Sequence, residues 1–390
     1  MKNYKSISLL KHKELKGKIE IRNKVDINST DDLSWAYSPG VAEPCKIIAK
    51  NKNEVYNYTT KSNTIAVITD GSAVLGLGNI GPEAALPVME GKAMLFKRFA
   101  NINAFPICLN SANPDEFINT VIQLSPSLGG INLEDISSPK CIYIENELKK
   151  RLNIPVFHDD QHGTAIATAA ALINAAKLVK KKISDLKIAL IGTGAAGSAI
   201  AKMLNALNVA QIHAYNEDGV VSKNKDHSKD IVVKELLEKN IINTPHKEVK
   251  TLEDVIKDKD VLIGVSTGNL VSSSMIKNMK SNAIVFAMAN PDPEISYNDA
   301  KKSGAKIVGT GRSDYPNQIN NVLAFPGIFK GALDGRVNDI TQEMQIDAAY
   351  AIAGVVSLEK LSPEYIIPSV FDERVVNAVS QAVLSASYKS

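Results

Sequence analysis

Apolar and polar positions along the chain fall into short aliphatic runs separated by longer stretches with helical spacing. The runs lie at 63–71, 102–109, 129–136, 154–157, 188–191, 211–216, 260–268, 284–290 and 306–309. Each is short, rich in β-branched or aliphatic residues and closed by Gly, Asn, Asp or Pro, which predicts a strand. Helical spacing fills 82–100, 141–152, an Ala-rich 163–182, 198–207 and 339–356, where Asp339 and Gln342 offer a capping box. A helix and a connector account for the chain up to about residue 30, and 380–390 is expected to fray. Strands that alternate with helices predict parallel sheets. The expected fold is α/β, with an N-terminal α/β catalytic domain at 1–155. A C-terminal Rossmann-type dinucleotide-binding domain, with C-terminal helices, follows at 156–390.

The second domain opens on a strong fingerprint. The strand 188–191 runs into Gly192-Thr-Gly194-Ala195-Ala196-Gly197, and a helix follows. Gly192 allows the tight turn, Gly194 admits a pyrophosphate and Gly197 lets helix pack on strand. The next strand ends in Asn216, then Glu217 and Asp218. Asn216 would not repel a 2′-phosphate, Glu217 could hold a ribose diol, and Lys223 or Lys225 could pair a phosphate. NAD and NADP both stay open, with NAD slightly preferred. Ser266, after a later strand, belongs to a loop of the kind that lines the cofactor. An earlier Gly76-x-Gly78-x-x-Gly81 matches the same spacing, but no ribose-binding acid ends the strand after it. It reads as a loop whose bare backbone passes close to a ligand or another segment.

Two adjacent acidic pairs end two successive strands: Glu134 and Asp135, then Asp159 and Asp160. Converging carboxylates repel unless a cation lies between them, and hard oxygen donors suit Mg²⁺ or Mn²⁺. Alternation along a strand end would turn one member of a pair away from the other. Gly163 and Thr164 are expected to open the helix beyond. Lys92 sits among Met89, Gly91, Ala93 and Met94; it is either a snorkelling lysine or a base with a lowered pKa. Tyr37, beside the only Trp, is either a ring packed on Trp35 or a catalytic group. Asn290, Asn320 and Asn321 are amides at strand or loop ends, able to grip a carboxylate or to make Asx turns.

Composition narrows the class. Of 390 residues, 44% are hydrophobic and 22% charged, and the net charge is +3 with both signs interspersed. That is a globular chain without the footprint of a nucleic-acid binder. Three widely spaced cysteines point to a reducing compartment rather than a disulfide framework. No run reaches membrane-spanning length. The expected setting is cytoplasmic, with no membrane or nucleic-acid partner.

Several separated segments together resemble the malic enzymes in their short bacterial form. They are Trp35-Ala-Tyr-Ser-Pro-Gly-Val-Ala, Thr69-Asp-Gly-Ser-Ala-Val-Leu-Gly-Leu-Gly-Asn-Ile-Gly, Glu90-Gly-Lys-Ala, Asn132-Leu-Glu-Asp-Ile and Phe157-His-Asp-Asp-Gln-His-Gly-Thr-Ala. The Rossmann turn, Phe286-Ala-Met-Ala-Asn-Pro and Asn320-Asn-Val-Leu-Ala-Phe-Pro-Gly complete the set. The resemblance implies oxidative decarboxylation of L-malate to pyruvate and CO₂, with NAD or NADP, Mg²⁺ or Mn²⁺, and a homodimer. It implies Glu134, Asp135 and Asp160 as metal ligands, Lys92 as base with Asp159 as charge partner, and Tyr37 as acid. Asn290 and Asn321 would face the substrate. Thr164, Gly192, Gly194, Ala195, Ala196, Gly197, Asn216, Glu217, Ser266, Asn290 and Asn320 would face the cofactor. Where larger relatives carry Arg after Asp-Gly-Glu, this chain has Ala73. Oxaloacetate decarboxylation, a malolactic activity, or an inactive nucleotide-binding sensor are the alternatives.

Overall fold

The computed structural model describes residues 4–388 apart from 75 and 229. Two sheets organise it. The first has strands β1 (Thr64–Thr69), β2 (Asn103–Cys108), β3 (Gly130–Leu133) and β4 (Val156–His158), all parallel, in the order β2-β1-β3-β4. The second has β5 (Lys187–Ile191), β6 (Gln211–Asn216), β7 (Gly219–Val220), β8 (Val261–Gly264), β9 (Ile284–Ala287) and β10 (Ile307–Thr310). Its order is β10-β9-β8-β5-β6-β7, parallel except for the short β6–β7 hairpin. Strands β1, β3 and β4 are buried throughout, because parallel sheets are covered by crossover helices on both faces. The second sheet changes direction of build at β5, between β6 and β8, which makes its carboxyl end there the expected ligand crevice.

One helix joins the two halves. Asp159–Leu178 starts one residue after β4 and carries a buried run from Ala165 to Ala176. Alanine suits a helix buried all round, since a small side chain lets neighbours approach from every side. It packs against the nucleotide helix Ala195–Ala206 and against Gln342–Val355. Asn174 holds it there by donating to the carbonyls of Ala353 and Ile366, each at 2.9 Å. The C-terminal helices return to the first half. Phe325 lies 4.6 Å from Phe96 between ring centroids, and Phe329 lies 5.4 Å from Phe96 and 5.9 Å from Phe157. Strand β4, just past the expected boundary at 155, pairs with β3 in the first sheet.

The structure corrects several local expectations. The central helix starts at Asp159, not Gly163, so the second acidic pair occupies a first helical turn and Thr164 the second. Helical rotation of about 100° per residue, not strand alternation, separates Asp159 from Asp160. Thr341, not Asp339, caps Gln342–Val355, accepting from Met344 N–H at 3.3 Å. Residues 374–387 are helical rather than frayed at 380, because Val375, Val379 and Val383 pack on Phe325–Asp334. Among the described residues no helix is long and apolar enough to cross a membrane.

Candidate active site

The candidate site is built around Lys92. The helix Pro82–Ala100 presents it, buried, to the carboxyl ends of β3 and β4. Its Nζ donates to Asp159 Oδ2 at 2.6 Å and lies 2.8 Å from Glu134 Oε1. On another side it stands 4.2 Å from the centroid of Phe325. Asn132 orients Glu134 by donating from Nδ2 to Oε2 at 2.8 Å. Asp135 adopts a left-handed backbone (φ 53°), and its N–H donates to Asp160 Oδ2 at 2.9 Å. Carboxylate oxygens of Glu134, Asp135 and Asp160 all lie within 4.8 Å of one another.

Four carboxylates thus crowd one ammonium. Burial is the largest influence on Lys92 and lowers its pKa, yet Asp159, Glu134 and Asp160 together hold it above its ordinary value. The lowered value expected for a base is therefore not found with the carboxylates facing it. Burial pushes Asp159 up to about 8 against the pull of Lys92, and burial also raises Glu134 and Asp160. We assign the proton to Lys92, which meets two carboxylates and an aromatic face, so the excess negative charge rests on the acids. Low-dielectric surroundings make such an excess costly unless a further cation is present.

Close packing fixes Asp159. A Cβ on Gly163 would fall 1.9 Å from Asp159 Oδ1 and 3.0 Å from Asn321 Cβ. The carboxylate therefore folds over the bare helix backbone one turn on, with Asn321 alongside. Behind it, Glu145 accepts from the N–H of His158 at 3.1 Å and pairs with His162 Nε2 at 2.9 Å. Burial opposes the charge of Glu145, but His162, Lys149 and His158 bring its pKa down to about 2. A depressed carboxylate stabilises the fold above its ordinary 4.5, and that stability is lost as pH falls toward about 2. Glu145→Gln is expected to cost about 2–3 kcal/mol at pH 7 and to flatten the acid limb of the stability curve, read by denaturant unfolding against pH. His158 itself is fully buried, and burial pushes it down to about 4, so it is neutral.

The second sheet carries the glycine turn, between β5 and the helix Ala195–Ala206. Gly192 has φ 96°, and a Cβ on it would meet the Val265 carbonyl at 2.7 Å. A Cβ on Gly197 would meet the Gly192 carbonyl at 2.0 Å, while one on Gly194 would meet nothing within 4 Å. Ala195 and Ala196 form the first turn of the following helix, which begins three residues earlier than its apolar spacing suggests. Asn216 donates to Thr193 Oγ1 at 3.1 Å and accepts from Asp218 N–H, and Glu217 is exposed beside it. Fully buried Glu294 ties two strand-end loops together, accepting from Ser266 N–H at 2.8 Å and Ala289 N–H at 3.1 Å. Asn290 follows, and its carbonyl would lie 3.1 Å from a Cβ on Gly76. The first glycine loop thus meets another segment rather than a dinucleotide turn. Asn320 Oδ1 caps the next turn by accepting from Val322 N–H at 2.9 Å, the Asx arrangement.

Tyr37 is placed apart. It is 68% exposed, and among the described residues it takes no part in the ion pairs and hydrogen bonds of Lys92, Glu134, Asp159 and Asp160. Among the described residues no ring contact joins it to Trp35. Sequence reasoning missed Phe325, Glu145, His162, Glu294 and the role of Gly163. Of these, only Gly163 had a readable signal: it lies four residues after Asp159, on the same helix face.

A dinucleotide turn at the end of β5 and a buried lysine–carboxylate cluster at the ends of β3 and β4 are the two parts of a nicotinamide-dependent oxidoreductase. Two family models cover the chain: the malic enzyme N-terminal domain matches residues 16–149, and the malic enzyme NAD binding domain matches 161–388. The chain belongs to the malic enzyme family. It is 53% identical to the bifunctional malic/malolactic enzyme of Bacillus subtilis (strain 168), over 97% of this chain and 92% of that one. It is 50% identical to the NAD-dependent malic enzyme of Geobacillus stearothermophilus, over 96% of this chain and 77% of that one. The crystal structure of an NAD-dependent malic enzyme from Thermotoga maritima superposes with a TM-score of 0.91 at 47% identity, covering 97% and 98% of the two chains.

Proposed function

We propose that the protein oxidatively decarboxylates L-malate to pyruvate and CO₂, with NAD and a divalent cation, as a cytoplasmic homodimer. The observation that carries this reading is the cluster: one ammonium held by Asp159 and Glu134, with three carboxylates converging beside it. Glu134, Asp135 and Asp160 fit Mg²⁺ or Mn²⁺, being buried or half-buried oxygen donors with excess negative charge. When bound there, a divalent cation would supply Lewis-acid chemistry and the nicotinamide a hydride acceptor.

The chain's own residues supply the proton chemistry. Lys92 takes the C2 hydroxyl proton, and Asp159 aims its Nζ. With Glu134 and Asp160 committed to a cation, burial would act on the Lys92 pKa against Asp159 alone and favour the neutral amine. Tyr37 protonates C3. Asn321, packed beside Gly163, and Asn290, at the mouth between the loops, hold the substrate. Thr164, Ser266 and Asn320 line the nucleotide with Asn290, and the first helical turn after Gly194 holds its phosphates. Metal-stripped enzyme is expected to lose malate-dependent nucleotide reduction and to regain it with Mn²⁺ or Mg²⁺; an unchanged rate in EDTA refutes the metal assignment.

NAD is preferred because neither nearby lysine faces a 2′-phosphate. Lys223 donates to Asn240 at 2.7 Å and Lys225 to the Asp218 carbonyl at 3.2 Å, while Glu217 and Asp218 would repel added negative charge. We expect kcat/KM for NAD to exceed that for NADP by roughly tenfold or more, measured at saturating malate. A second reading is favoured by the similarity to the malic/malolactic enzyme: retained nucleotide could return its hydride to pyruvate. Lactate formed from malate at substoichiometric NAD tests it.

A further inference from the structure

The strand order of the second sheet divides a bound dinucleotide in two. The adenosine ribose belongs at Asn216 and Glu217, after β6, and the pyrophosphate at the helix that follows β5. The nicotinamide half therefore extends the other way, over the carboxyl ends of β8 and β9. Those two ends share one side chain. Glu294 is fully buried; its Oε1 accepts from Ser266 N–H in the β8 loop at 2.8 Å, and its Oε2 from Ala289 N–H in the β9 loop at 3.1 Å. The far side of the β8 loop is fastened to the same segment. Val271 N–H donates to the Glu294 carbonyl at 2.9 Å, and Asn269 N–H to the Pro293 carbonyl at 3.0 Å. A Cβ on Gly268 would meet the Asp292 carbonyl at 2.6 Å, and one on Gly264 would fall 2.4 Å from Glu294 Cδ. Bare backbone at both glycines lets the loops close on the carboxylate.

A buried carboxylate is an expensive way to join two loops. Burial is the largest influence on Glu294 and raises its pKa; backbone N–H groups, Ser266 first among them, pull the other way. An apolar side chain would fill the space without that conflict. What only a carboxylate offers is two acceptor oxygens at a fixed separation, one for each loop. We propose that Glu294 positions the nicotinamide half of the cofactor, by setting the gap between Ser266 and Asn290, the residue after Ala289. Being fully buried, it acts through the two loops and not by touching either ligand. Asn290 is also where this half of the chain meets the first, since its carbonyl would lie 3.1 Å from a Cβ on Gly76. This inference rests on the dinucleotide reading and adds which side chain sets the reactive end.

Glu294→Gln tests it, because an amide offers one acceptor oxygen where two N–H groups must be met. Calorimetric titration compares NAD with ADP-ribose, which lacks the nicotinamide. The variant is expected to weaken NAD roughly tenfold, to leave ADP-ribose within about twofold of the unmodified protein, and to lower kcat about a hundredfold at saturating NAD and malate. Gly264→Ala pushes the same carboxylate aside with its charge intact, and is expected to reproduce the difference between the two ligands. ADP-ribose binding itself certifies that a variant is folded. If NAD and ADP-ribose weaken together, or if neither changes, in whichever variant folds, Glu294 only packs the loops and the proposal is overturned. A fall in kcat without a difference between the two ligands overturns it as well. An unmodified protein that binds neither ligand refutes the dinucleotide reading itself, and this inference with it.

Discussion

Lys92→Ala is expected to abolish malate-dependent nucleotide reduction, by roughly a thousandfold or more in kcat, with nucleotide binding retained. Two losses coincide. The base that takes the C2 hydroxyl proton disappears, and so does the ammonium that pairs Asp159 and Glu134. Removing one partner of a buried ion pair leaves the other charge uncompensated, which costs about 3–5 kcal/mol. The variant should therefore unfold at lower denaturant in metal-free buffer, and saturating Mn²⁺ should restore part of that stability by binding the folded state. Retention of malate oxidation by Lys92→Ala would remove the proposed base.

Gly163→Ala is expected to cut kcat about a hundredfold while barely changing thermal stability. Elsewhere in a helix this substitution stabilises by about 1 kcal/mol, since glycine is a poor helix former. Here the new Cβ falls 1.9 Å from Asp159 Oδ1, so the carboxylate must swing off its place over the helix. Lys92 then loses the partner at 2.6 Å that aims it. Helix propensity and displacement of Asp159 oppose each other in stability but not in rate. A melting curve and a kcat measurement on one preparation separate them; an active Gly163→Ala enzyme would show that Asp159 does not position Lys92.

The sequence carried much of this architecture, for physical reasons. Buried parallel strands appear as aliphatic runs because both of their faces are covered, and β1 to β6 lie close to where those runs fall. The turn at Gly192 is legible because only a residue without Cβ fits there. Helix starts were less legible: Asp159 and Asp160 looked like a strand end because only His158 separates them from the apolar run ending at Phe157, yet an acidic first turn is favoured at a helix N-terminus. Partners from distant parts of the chain were not legible at all. Phe325 reaches Lys92 through a helix that returns to the first sheet, and no local pattern near either residue encodes the meeting. Glu145 and Glu294 carry no local signal, and only packing reveals that each is buried and hydrogen-bonded.

The most direct test of the functional account is product stoichiometry. Purified protein is incubated with L-malate, NAD and Mn²⁺, and pyruvate, oxaloacetate and reduced nucleotide are quantified together. The account predicts pyruvate and reduced nucleotide in equal amounts, without accumulation of oxaloacetate. Reduced nucleotide accompanied by oxaloacetate alone, or no reduction in the presence of metal, would contradict it.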